Sequence, residues 1–186
     1  MPRSRESKTR RNLLRNERRK SINKREIFVY EFSSSEITPQ EIPKNADEIQ
    51  FDDYYNYPLT KSSLPKRIRS IVFGEYFCRP IKDSFHDTVE KIFFGRFFDV
   101  DLDDGKRSFL PENLRYLSLG FHFSGSIDFI PDSIETLSLP YFYDRKVERL
   151  PKSLKTLYCS EIFFTVNKEL IDSQNIKCDI EMCDDF

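Results

Sequence analysis

Apolar residues recur along this chain in one spaced phrase rather than in long runs. An apolar opener is followed by apolar residues four, seven and nine positions later and by an aromatic thirteen positions later. The openers are Ile42, Leu64, Phe85, Leu110, Ile130 and Leu150, spaced by 22, 21, 25, 20 and 20 residues. The phrase is complete in Leu110, Pro111, Leu114, Leu117, Leu119, Gly120 and Phe123. It is weakest in the first unit, where Ala46 and Tyr55 fill two of the slots. A period of this size marks a solenoid, in which no unit buries its own apolar face and each is stable only against its neighbours.

Within each unit the slots at seven and nine alternate with outward positions, as in Tyr116-Leu117-Ser118-Leu119. That is the period of a short strand with one face buried. Coils of this length stack such strands only in parallel, about 4.8 Å apart. The predicted fold class is therefore a β-rich, right-handed coil stack of six repeats over residues 42–171, with short parallel strands and few helices. Pro after the opener fixes φ where the chain enters a coil; His86 stands there in the third unit. The Gly after the strand permits positive φ or a close backbone approach, and Pro140 and Ser160 replace it in the last two units. The longest spacing implies a polar insertion at Asp101 to Arg107.

Outside the repeats, Ile27 to Phe32 (IFVYEF) reads as a strand that either forms a first rung or covers the open end. The rest of residues 27–41 leads into the solenoid, and residues 172–186 are expected to be a C-terminal cap and acidic tail. Residues 1–26 are charge-rich with few apolar anchors and are expected to be a disordered arm.

Charge changes this picture more than composition does. A formal net charge of −1 hides a segregation: residues 1–25 hold eleven Lys/Arg against two acids, and the remainder holds 19 against 29. A basic arm is joined to an acidic body. Four cysteines without a Cys-x-x-Cys pair make neither a disulfide framework nor a metal motif, and Cys159 occupies an apolar slot, which favours a reducing compartment. No apolar stretch is long enough for a signal peptide or a membrane span. The expected setting is intracellular, cytoplasmic or nuclear, as a monomer without membrane contact.

These residues resemble the FNIP repeat, a relative of the leucine-rich repeat abundant in social amoebae and giant DNA viruses. The resemblance rests on heads such as Leu150-Pro151-Lys152-Ser153-Leu154 and Ile130-Pro131-Asp132-Ser133-Ile134. It rests equally on tails such as Phe77-Cys78-Arg79-Pro80-Ile81 and Tyr55-Asn56-Tyr57-Pro58-Leu59. It implies an adaptor in an amoeba or a virus of amoebae. The signature Asn, which satisfies backbone groups between coils, survives only as Asn56; Cys78, Asp99, Ser124, Asp144 and Phe164 stand in its place. Phe164 cannot do that work, so the last coil is expected to be distorted. Some members of the family are fused to an F-box, for which residues 1–41 are too short and too polar.

Four surfaces are candidates for function. Five residues after each opener come Asp47, Arg69, Glu90, Arg115, Glu135 and Lys155, alternating in sign and expected to hold the strands in register. At the outward strand positions, Val72, Phe93, Tyr116 and Tyr158 are candidate anchors for a protein partner; the first three are expected to form an exposed apolar patch unless a capping segment covers them. A column precedes the signature aromatic (Tyr54, Tyr76, Phe97, His122 and Phe142, with Ile162 last) and is expected to pack at the core edge or along the outer turn, with base-stacking as the alternative. The basic clusters Arg10, Arg11, Arg18, Arg19, Lys20, Lys24 and Arg25 suit nucleic acid or an import receptor, or docking on the acidic body.

Catalytic chemistry has little to rest on. His86 and His122 occupy different slots, and no nucleophile triad, phosphate loop or zinc spacing occurs. Asp101, Asp103 and Asp104 read as a solvated loop. The expected function is non-catalytic recognition of a protein partner through the strand face, with no cofactor; the alternative is a nucleic-acid-associated or nuclear-targeted protein acting through the arm.

Overall fold

The computed structural model describes residues 26–30 and 35–181. One eight-stranded parallel sheet runs the length of the molecule, its strands in simple chain order: β1 (Glu26–Tyr30), β2 (Ala46–Phe51), β3 (Ser70–Val72), β4 (Lys91–Phe93), β5 (Tyr116–Ser118), β6 (Thr136–Ser138), β7 (Thr156–Ser160) and β8 (Lys177–Glu181). Every connection makes one circuit and returns beside the strand it left, which is the geometry of a solenoid. The central residues Ile49, Ile71, Ile92, Leu117, Leu137 and Leu157 lie in register across β2 to β7 and are fully buried.

The segment Ile27 to Tyr30 forms the first rung, within β1, and Tyr30 closes that end of the core edge-on to Phe51, with ring centroids 6.0 Å apart. At the other end the chain departs from the repeat. Two short helices, α1 (Glu161–Val166) and α2 (Lys168–Ser173), fill the last circuit, and β8 follows them as a further rung. Ser160 caps α1 by accepting a hydrogen bond from the Phe163 amide at 3.2 Å.

Each slot of the phrase has a visible task. The tight turn at each coil entrance is closed by an amide four residues after the opener. The Ile68 amide donates to the Pro65 carbonyl at 3.1 Å and the Leu114 amide to Pro111 at 3.0 Å. The Val89 amide makes the same bond to His86 at 3.1 Å, so the turn needs the carbonyl and not the proline ring. Gly74, Gly95 and Gly120 have the other property expected of glycine, a close backbone approach: a β-carbon on any of them would lie within 2 Å of the carbonyl oxygen of the coil before. None of the three has positive φ.

The core is a pair of aromatic ladders. Phe51, Phe73 and Phe94 stack at 5.4 and 5.3 Å with planes within 8°. Tyr55, Phe77, Phe98, Phe123 and Tyr143 form the second ladder, at 6.0–6.4 Å. Offset stacking of this kind adds about 0.5–1.5 kcal/mol per pair to the burial itself. Burial also pushes the Tyr55 phenol up to about 12 and the Tyr143 phenol higher still, and the Tyr143 hydroxyl donates to the Gly125 carbonyl at 2.8 Å.

Candidate protein-recognition surface

Because side chains alternate across a strand, β2 to β7 carry the core on one side and two outward rows on the other. One row contains Glu48, Ser70, Lys91, Tyr116, Thr136 and Thr156; the second contains Gln50, Val72, Phe93, Ser118, Ser138 and Tyr158. Val72 lies directly beside Phe93, which meets Tyr116 diagonally; the three form an apolar cluster separate from the core, with the Phe93 and Tyr116 rings 4.6 Å apart. The expected exposed patch is corrected here: the three are only 7%, 7% and 9% exposed. Tyr158 is half-buried and lies apart from them, with β6 in between.

The alternating charge column lies immediately before the strands. Its backbone forms a continuous ladder, each amide donating to the carbonyl of the equivalent residue one coil earlier at 2.8–2.9 Å from Arg69 to Lys155. Its side chains pair Arg69 with Glu90 at 2.6 Å and Glu135 with both Lys155 at 2.6 Å and Arg115 at 3.5 Å. The hydrogen bond from Lys155, with the positive charges of Lys155 and Arg115, holds the Glu135 carboxyl below its ordinary value against a smaller opposing effect of burial. A shallow polar groove of about 430 Å³ follows this column, lined by Arg69 and Arg115 against Asp87, Glu90 and Glu135.

Beyond the strands, the outer turn displays the aromatic column. Tyr54, Tyr76, Phe97 and His122 stack face to face at 5.0–5.4 Å with planes within 13°. A second backbone ladder holds their spacing: the amides of Tyr76, Phe97 and His122 donate to Asp53, Glu75 and Arg96 of the preceding coils. Phe121 joins the column with its ring 4.9 Å from the Arg96 guanidinium and packs edge-on to Phe142 at 5.4 Å. Tyr54 is 70% exposed and Phe142 60% exposed. The packing along the turn matches expectation. What sequence reasoning missed is that this column, not the strand face, is the open apolar surface; two adjacent aromatics repeated in coil after coil were the available signal.

Between coils, the Asn56 carbonyl oxygen accepts from the Cys78 amide at 3.1 Å, and the Asp99 carboxylate accepts from the Ser124 amide at 2.8 Å. Asp thus takes over the work of the signature Asn. In the last coil Asn167, between the two helices, accepts from the Val147 amide and donates to the carbonyls of Arg145 and Phe163. The insertion is a turn closed on itself: Asp103 accepts from the Gly105 amide and Asp104 from the Arg107 amide, while Leu102 is buried in the core. Among the described residues no cluster of three or more metal-ligating side chains occurs, and no helix is long and apolar enough to cross a membrane. Arg10, Arg11, Arg18, Arg19, Lys20, Lys24 and Arg25 lie outside the described residues.

The stacked parallel rungs, aromatic ladders and inter-coil amide bonds define a leucine-rich-repeat-like solenoid. A family model for the FNIP repeat matches residues 32–76 and 55–97, and over that stretch the chain is similar to FNIP-repeat proteins. Its fold is similar to the crystal structure of CroV588, described as a novel circular leucine-rich-repeat protein structure, with a TM-score of 0.53 and 20% identity. That similarity covers 68% of this chain and 22% of the other, so the chain spans about a fifth of that protein's length. No curated protein matches the sequence.

Proposed function

We propose that this chain is a non-catalytic scaffold that recognises a protein partner, and that the partner docks on the aromatic outer turn. The observation that carries this reading is the contrast in exposure between Tyr54 and Phe142, at 70% and 60%, and the strand-face cluster, at 9% or less. Exposed contiguous aromatics are the usual anchors of protein contacts, because a Tyr or Phe buries a large area at little conformational cost. Tyr76 and Phe97 are stacked between neighbouring rings and offer a partner mainly their edges, while Tyr54 ends the column and Phe142 packs edge-on, so these two offer the larger open area. That arrangement suits apolar side chains, with the exposed Tyr54 adding a phenol for hydrogen bonding. The FNIP and leucine-rich-repeat-like families are generally non-catalytic, which supports a binding role.

The test is quantitative capture by wild-type chain, by Tyr54→Ser/Phe142→Ser and by Phe93→Ala/Tyr116→Ala, each first shown to be folded by circular dichroism. The expected result is a defined set of proteins lost with the first double variant and retained with the second. Loss with the second alone returns recognition to the strand face, and identical sets for all three defeat both assignments.

A further inference from the structure

The strand face presents an imbalance that its own strands do not explain. Val72, Phe93 and Tyr116 point away from the core, yet each is at most 9% exposed. Beside them Ser70 is 5% exposed, and among the described residues its hydroxyl has no hydrogen-bond partner. Neighbouring strands shield the flanks of an outward side chain but not its tip. Among the described elements β3, β4 and β5 pack only against adjacent strands, so none of them crosses this face. Burial is not general there: Ile27 and Val29 of β1 are 44% and 46% exposed, and Thr136 and Ser138 of β6 are half-buried. Within the two outward rows of β2 to β7, buried side chains are confined to β3–β5.

We propose that this face is a docking groove for a basic, leucine-bearing segment, and that its occupant is residues 1–25 of the same chain. Three observations select that occupant. The segment joins the sheet at Glu26, at the start of β1, and β3–β5 lie two to four strands away, about 10–19 Å. A chain of this length spans several times that distance. It carries Leu13 and Leu14 as an adjacent apolar pair amid eleven Lys/Arg, suited to a patch of three apolar side chains. The coil beside its point of entry is acidic: residues 35–59 hold Glu36, Glu41, Asp47, Glu48, Asp52 and Asp53 against Lys44 alone. Leucines over Val72, Phe93 and Tyr116, with arginines toward the first coil, satisfy both the burial and the charge. This inference is independent of docking on the outer turn.

The experiment uses the full chain with the photoreactive residue p-benzoylphenylalanine at Tyr116 and, separately, at half-buried Ser138, with cross-linked peptides identified by mass spectrometry. The expected product is an intramolecular cross-link to the stretch holding Leu13 and Leu14. Its yield is unchanged on dilution, lower at high salt, and lost in Leu13→Asp/Leu14→Asp. Cross-links confined to solenoid residues overturn the proposal, as does a yield that rises with protein concentration, which would place a second copy on the face. An arm that binds a duplex oligonucleotide while giving no cross-link from either position assigns it to nucleic acid instead.

Discussion

Gly95 sits so close beneath Gly74 that a β-carbon on it would lie 1.6 Å from the Gly74 carbonyl oxygen. The same relationship recurs between Gly120 and Gly95 at 1.9 Å, so the two coils cannot separate at one position without losing the amide ladders on either side. Backbone is the obstacle in each case, and backbone here has no room to yield. Gly95→Ala is therefore expected to cost about 3 kcal/mol or more, at or beyond the upper end of overpacking penalties. Gly105 is the control, with φ at +75° and nothing within 4 Å of an added β-carbon. Gly105→Ala carries only the left-handed backbone cost, about 1–2 kcal/mol. Urea denaturation of the two variants checks the order, and equal midpoints would sink the close-approach account.

Asn167 is 4% exposed and makes three hydrogen bonds, to Val147, Arg145 and Phe163. Replacing it with Leu removes all three side-chain bonds and leaves the Val147 amide and the Arg145 carbonyl to find other partners, while the Phe163 carbonyl keeps the backbone amide of residue 167. At about 1 kcal/mol for each lost bond, Asn167→Leu should cost about 3 kcal/mol. Hydrogen exchange locates the effect: faster exchange is expected at the Val147 amide and in α1, with β2–β4 unchanged. Uniform acceleration throughout the sheet would instead show that the last coil unfolds only together with the rest.

The charge column supplies a pH dependence of known sign. Glu135 has its folded-state pKa lowered from 4.5, so its contribution is fully present above that value and is lost as pH falls through the lower folded one. The carboxylate side chain is a third exposed, and solvent screening holds the effect to about 1 kcal/mol or less. Glu135→Gln is expected to be slightly less stable than wild type at neutral pH and indistinguishable from it well below the folded pKa. Added salt should narrow the neutral-pH gap. A gap that widens on acidification contradicts the assignment.

The repeat was legible because one apolar slot has one physical task in every coil. Ile71, Ile92 and Leu117 are a straight column in sequence spacing and in space. The last coil was legible only as a departure. Phe164 at the signature slot signalled a distortion, but the remedy is Asn167, three residues later and held between two helices. The β8 rung was hidden for a different reason: Lys177 to Glu181 has only Cys178 and Ile180 on its inner side, too little for a strand signal without its neighbour. Burial at the strand face was beyond sequence pattern altogether. Val72 and Phe93 occupy outward slots by spacing, and spacing alone does not give their exposure of 7% each.

Two aromatic populations with opposite exposure make separate predictions for stability and for the proposed recognition. Phe94 is 1% exposed and stacks on Phe73 and Phe98, so Phe94→Ala removes a core ring and opens a cavity, at about 3–5 kcal/mol. Tyr54, 70% exposed, ends its column with Tyr76 as its stacking partner. Tyr54→Ala loses one solvent-facing stack, about 0.5–1.5 kcal/mol, and leaves the inner ladders untouched. The Tyr55 ring next to it in sequence belongs to the core, where Tyr55→Ala should behave like Phe94→Ala. Adjacent residues are thus expected to differ by several-fold in their effect on the urea midpoint, while only the Tyr54 change alters partner capture. If Tyr54→Ala proves as destabilising as Tyr55→Ala, the outer column is part of the structural core, and its exposure is no argument for recognition.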